Sequence, residues 1–115
     1  MSHLDRPKVG FILSGYLDAG RTFLESQRTI QIGQTPFGAA SNDHLIVGKQ
    51  SGLNIALLSR RNNMAIPSCQ VNHKANIVAL KKYGCDIVLG LIPCCSLDDR
   101  IQIGNQMVVT DYFDR

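Results

Sequence analysis

No apolar run in these 115 residues approaches the roughly 20 needed to cross a bilayer, so a membrane-spanning protein is not expected. The opening residues MSHLDRPK lack the apolar core of a secretory signal, which points to the cytoplasm. There is no CxxC pair, and His3, His44 and His73 are far apart in the sequence; a metal site has no ligand spacing to start from. GxGxxG is absent, which removes the dinucleotide fingerprint. Twelve Lys and Arg against nine Asp and Glu leave a net charge of +3, but the basic residues form no stripe, so nucleic acid is not an expected partner. Internal repeats, low-complexity tracts and linkers are missing as well. What remains is 44% apolar and 18% charged, the balance of a soluble globular chain forming one domain over residues 1–115. Four cysteines, Cys69, Cys85, Cys94 and Cys95, are expected as free thiols, because adjacent cysteines rarely bond each other and a reducing compartment disfavours bridges.

The stretch from Ser68 to Leu97 organises the rest. Ser68 follows Pro67 and can cap a helix by accepting a hydrogen bond from a first-turn amide. Val71, Ala75, Val78 and Ala79 make one apolar face; Lys81 and Lys82 complement the carbonyl end, and Gly84 supplies the left-handed stop. The pattern predicts a helix from Ser68 to Tyr83. Ile87 to Ile92 is too short for another helix and too uniformly apolar for a surface strand, so it reads as a central strand. Open α/β sheets place ligands beyond the carboxyl ends of such strands, which singles out Pro93, Cys94, Cys95 and Ser96.

Elsewhere, Lys8–Leu13 reads as a buried strand broken by Ser14 and Gly15. Residues 16–28 have weak helical character, and Thr29–Ile32 alternates as a half-buried strand does. Thr35 to Gly38 makes a turn. Leu45–Lys49 and Leu53–Leu58, joined through Gln50, Ser51 and Gly52, predict an antiparallel hairpin. Residues 59–67 form a loop led by Arg60 and Arg61, and Gln106–Thr110 reads as a last strand. The fold class is α/β, a mixed twisted sheet flanked by helices, with the 68–83 helix packed on one face.

Several residues offer chemistry. Gly15, Gly20, Arg21 and Thr22 approach a phosphate loop, but Arg21 stands where the motif needs lysine, a compact point charge that a guanidinium does not replace. A P-loop-like nucleotide binder is therefore one alternative. Arg60 and Arg61, at a strand end, can hold an oxyanion through their planar donor fork, or be solvated loop residues; on an extended chain they point to opposite faces. Cys94 and Cys95 read as buried structural thiols sooner than nucleophiles, because no basic partner is evident. Asp98 and Asp99 read as a solvated turn, and His73 as a surface residue or a ligand contact.

VGFILSGYLD, TPFG at residues 35–38, SRR, PSCQVNHKANIVALKKYGC, CCSL and IQIGNQMVVTDYFDR together resemble the N-terminal half of methylthioadenosine phosphorylases, in the trimeric purine nucleoside phosphorylase family. The resemblance implies a partial nucleoside phosphorylase fold and phosphorolysis of a purine nucleoside to free base and sugar 1-phosphate. It implies no cofactor beyond inorganic phosphate as co-substrate, and a homo-oligomer, trimeric in the family. Carried over by position, phosphate binding falls on Ser14, Gly15, Arg60, Arg61 and Pro93, and no catalytic residue is assigned. Three loops depart from the family pattern. Gly15 stands at the hydroxyl position, Arg61 and Asn62 replace a His-Gly pair, and Ile92 and Pro93 replace Thr-Ala. The sugar- and base-binding residues of the family's other half have no counterpart in this sequence. The expectation is a fragment or a degenerate copy, inactive alone; the alternative from another class is a noncatalytic subunit or interaction module, with a last strand exposing an unpaired apolar edge.

Overall fold

A computed structural model describes residues 6–14, 24–62 and 65–111. Among the described residues, five strands and one α-helix follow in the order β1 (Val9–Leu13), β2 (Glu25–Gln31), β3 (His44–Gln50), β4 (Leu53–Ser59), α1 (His73–Tyr83) and β5 (Ile87–Leu91). They build a mixed sheet in the spatial order β2-β3-β4-β1-β5. β1 runs parallel to β4 on one side, with Val9 opposite Ile55, and to β5 on the other, with Val9 opposite Ile87. The β2–β3 and β3–β4 pairings are antiparallel. The sheet is thus an antiparallel hairpin region joined to a three-strand parallel unit, the combination expected of an α/β mixed sheet.

The β3–β4 hairpin closes over two residues, Ser51 and Gly52, both with positive φ, at 53° and 81°. That is the turn whose twist matches its flanking strands. Gln50, expected in the loop, pairs with Leu53 as part of β3.

Alternation along β4 sorts the core. Ala56 and Leu58 face the cluster containing Leu45, Val47 and Leu80 of α1, while Ile55 and Leu57 pack with Leu13 and Leu24. β4 is buried on both faces over residues 55–58 and is the true central strand. The sequence assigned that position to Ile87–Ile92, but β5 lies at the sheet edge, and Ile87, Leu89 and Leu91 are each more than 40% exposed. Composition alone cannot separate a strand covered on both faces from an exposed edge strand.

The helix starts later than its apolar pattern predicts. Ser68–Gln70 forms one 3-10 turn with no side-chain cap, Val71 is extended, and α1 begins at His73. Asn72, not Ser68, is the cap: its Oδ1 accepts from the Ala75 N–H at 3.1 Å. Its Nδ2 also donates to the Phe37 carbonyl at 2.7 Å, tying the Thr35–Gly38 turn to the helix start. The buried helix residues are Ala75, Asn76, Ala79 and Leu80, so the core stripe includes a polar residue that periodicity passed over.

Gly84 ends α1 at φ 103°, with its N–H on the Lys81 carbonyl at 2.9 Å. Gly84→Ala is expected to destabilise the chain by about 1–2 kcal/mol, the cost of forcing a side chain into left-handed backbone; urea unfolding would measure it.

Two further expectations are corrected. Residues 25–28 belong to β2 and not to a weak helix, and Leu24 just before them is buried outside any helix; residues 16–23 lie outside the described residues. Residues 106–110 form no strand: Met107, Val108 and Val109 are 63%, 87% and 77% exposed in an irregular tail. The apolar strand at a sheet edge, among the described residues, is β5 instead. Among the described residues, no helix is long and apolar enough to cross a membrane.

Candidate functional site

Parallel pairing brings the carboxyl ends of β4, β1 and β5 to one edge of the sheet, where Leu13 lies opposite both Ser59 and Leu91. The next residue of each strand therefore enters a common corner. Ser14 leaves β1 with its N–H on the Leu91 carbonyl at 3.1 Å, and Arg60 leaves β4 with its N–H on the Leu13 carbonyl at 2.8 Å. Across this corner, Arg60 Nη1 donates to Ser14 Oγ at 3.4 Å. Ser14 is buried and Arg60 half-buried, so the hydroxyl and the guanidinium sit against the sheet end. Both can donate to an oxyanion, and partial burial strengthens such donation relative to water.

The other sequence-derived candidates separate. Arg61 Nε donates to the Ile66 carbonyl at 2.7 Å, closing its own loop instead of joining Arg60 at Ser14. The two side chains diverge although residues 60–62 form a turn and not the extended backbone expected from the sequence. Pro93 is exposed, two residues beyond the Leu91 carbonyl that holds Ser14. Gly15, with the Gly20–Thr22 phosphate-loop match, lies outside the described residues. His73 lines a shallow apolar groove on α1 with Phe37, Lys74, Ile77 and Val78, a group that shares no residue with the corner. Asp98 is engaged by Arg100 at 2.7 Å, and this pairing holds its carboxyl below the usual range; it belongs to an exposed turn.

Cys94 and Cys95 are exposed, not buried as the sequence suggested, because they follow an edge strand, where no described element packs over the loop. All four cysteines are free. Cys85 alone is half-buried, near Gly10 and Leu80, and burial pushes its thiol up. Alkylation with iodoacetamide near neutral pH is expected to modify Cys69, Cys94 and Cys95 faster than Cys85, which peptide mass mapping over time would reveal.

Behind the corner lies a polar pair that pattern reading missed. Asn76 of α1 is 1% exposed and Ser41, before β3, is 7% exposed. They bond to each other twice, and Ser41 Oγ reaches the Arg60 carbonyl at 2.6 Å. The available signal was Asn76 itself, a polar residue one turn beyond Asn72 and beside Ala75 and Ala79 on the packed face.

Fold and corner together define an α/β protein that gathers a hydroxyl and a guanidinium at the carboxyl ends of parallel strands. No protein-family model matches the chain. It is 39% identical over 110 residues to the S-methyl-5'-thioadenosine phosphorylase of Drosophila melanogaster, covering 94% of this chain and 37% of that enzyme. It is 37% identical over 109 residues to the purine nucleoside phosphorylase of the same organism, covering 93% and 36%. Among solved structures, methylthioadenosine phosphorylase from Schistosoma mansoni in complex with adenine superposes with a TM-score of 0.63 at 32% identity, over 74% of this chain and 30% of that one. The chain belongs to the methylthioadenosine and purine nucleoside phosphorylase family, and it spans less than half the length of these relatives.

Proposed function

We propose that this chain carries the phosphate side of a purine nucleoside or methylthioadenosine phosphorolysis site, with inorganic phosphate held by Arg60 and Ser14. The observation that carries the reading is the Arg60 Nη1 to Ser14 Oγ contact, made where two parallel strands end side by side. In phosphorolysis, a phosphate oxygen forms a bond to the anomeric carbon as the bond from that carbon to the purine nitrogen breaks. The purine leaves with the bonding pair and takes up a proton. Positive charge grows on the sugar between the two, so a fixed anion beside it lowers the barrier by positioning and electrostatics. No metal or organic cofactor enters this reading; the protein acts in the cytoplasm, in purine salvage, as a homo-oligomer of the family's trimeric type.

As the 115-residue polypeptide, the chain does not turn over nucleoside in this reading, because the family's sugar- and base-binding residues have no counterpart in the sequence. Purified chain incubated with methylthioadenosine or inosine, with and without phosphate, is expected to release free base at the background rate. Phosphate-dependent release would overturn the inactivity.

A second reading, a noncatalytic interaction module, is favoured by the apolar side chains exposed on β5 and beyond it, among them Leu89, Ile92, Leu97 and Ile103. The two part at phosphate: the first expects affinity that depends on Arg60, the second does not.

A further inference from the structure

The hydrogen bonds behind the corner have a determined direction. The main-chain N–H of Ser41 donates to Asn76 Oδ1 at 2.8 Å, and since that N–H cannot accept, the amide orientation is set. Asn76 Nδ2 must then face Ser41 Oγ, 2.9 Å away, and donate to it. With its oxygen already accepting, Ser41 has one proton to place, and the Arg60 carbonyl receives it at 2.6 Å. Donation thus runs from helix α1 through Ser41 into the peptide that follows Arg60. The peptide before Arg60 is held by the N–H bond to the Leu13 carbonyl at 2.8 Å. Both flanks of the Arg60 Cα are therefore anchored, one to β1 and one to α1.

We propose that Asn76 and Ser41 are positioning residues for the Arg60 guanidinium, acting through the Arg60 carbonyl and touching no ligand. Arginine has enough side-chain freedom that ordering it opposes binding. Anchoring both adjoining peptides sets the Cα and the first side-chain bond, which leaves fewer orientations from which Nη1 can reach Ser14 and an anion. The pair is nearly inaccessible to solvent and satisfies its own polar atoms, the condition under which a buried polar link orients its partners firmly. The inference rests on the phosphate reading above for its ligand, but not for its geometry.

The test compares Ser41→Ala, Asn76→Asp and Arg60→Ala in the full chain. Asn76→Asp is nearly isosteric; as a carboxylate it still accepts from the Ser41 N–H but draws the hydroxyl proton to itself, stripping the Arg60 carbonyl of its donor. It keeps the question open to measurement should loss of the Ser41 hydroxyl unfold the loop. Working at about pH 8, well above the ordinary Asp range, favours the carboxylate against the rise that burial brings. Two signals are read on protein shown by circular dichroism to be folded: the dissociation constant for inorganic phosphate, and the Arg60 Nε–H resonance, identified by its absence in Arg60→Ala. Both Ser41→Ala and Asn76→Asp are expected to weaken phosphate binding about three- to ten-fold, the effect of one hydrogen bond felt at second hand, and to move the resonance toward that of a solvated arginine. Folded variants in which both signals stay at wild-type values would overturn the inference. If the wild type binds no phosphate, or Arg60→Ala binds it equally well, the phosphate reading fails instead. The resonance alone then decides whether Ser41 and Asn76 orient Arg60: a shift supports the inference and an unmoved peak overturns it.

Discussion

Arg60→Ala is expected to lower affinity for inorganic phosphate roughly 10- to 100-fold, the range for losing a charge-assisted hydrogen bond. Isothermal titration of the wild type and the variant would measure it. Arg60 is the residue in the corner whose donors are both cationic and directed at Ser14 Oγ. Lysine at this position should recover only part of the loss, because an ammonium supplies the charge without the planar fork. Arg61→Ala is the matched control. Its Nε is spent on the Ile66 carbonyl, so its removal should loosen the 61–66 loop and change phosphate affinity far less. Equal losses from the two substitutions would mean that net charge, and not placement, governs the site.

Leu80→Ala is expected to cost about 2–5 kcal/mol, the range for truncating a large aliphatic side chain in a packed core. Against a typical domain stability of about 5–15 kcal/mol, that is enough to lower the urea midpoint by about 1 M or more. Leu80 is wholly buried among Leu45, Val47, Ala56 and Leu58, and both its methyl carbons lie 3.1–3.2 Å from the place where a Cβ on Gly10 would stand. It is the α1 residue buried within that sheet cluster, and Gly10 leaves the space it fills. Leu97→Ala is the contrasting case. Leu97 is fully exposed, so the same truncation should leave the midpoint unchanged within error.

The α1 end, the hairpin and β1 were legible because each has a local cause. Gly84 must adopt positive φ to end a helix, Ser51 and Gly52 must do so to turn between strands, and a short apolar run broken by Ser14 has few alternatives. The helix start was misread because Ser68 and Asn72 are both able to cap, and the choice fell to Asn72 through a contact 35 residues away, at Phe37. The exposure of Cys94 and Cys95 was misread for the same reason as the position of β5. An apolar strand reports that it is suited to cover, not that cover is present.

Of the candidate site, Arg60 and Ser14 were named from the sequence and the structure joins them, while Arg61 was named beside them and bonds elsewhere. Ser41 and Asn76 were not named at all, because a buried hydrogen-bond link between residues 35 positions apart has no signature in either neighbourhood.

The sequence by itself determined strands β1, β3, β4 and β5, where the helix stops, and which strand ends carry hydroxyl and guanidinium groups, since backbone sterics and apolar patterning act over a few residues. Tertiary structure decided the order of the strands, the placing of β4 at the centre and β5 at the edge, and which of two adjacent arginines meets Ser14. Those outcomes depend on parallel pairing between segments some 45 to 80 residues apart, and no local energy term contains that information.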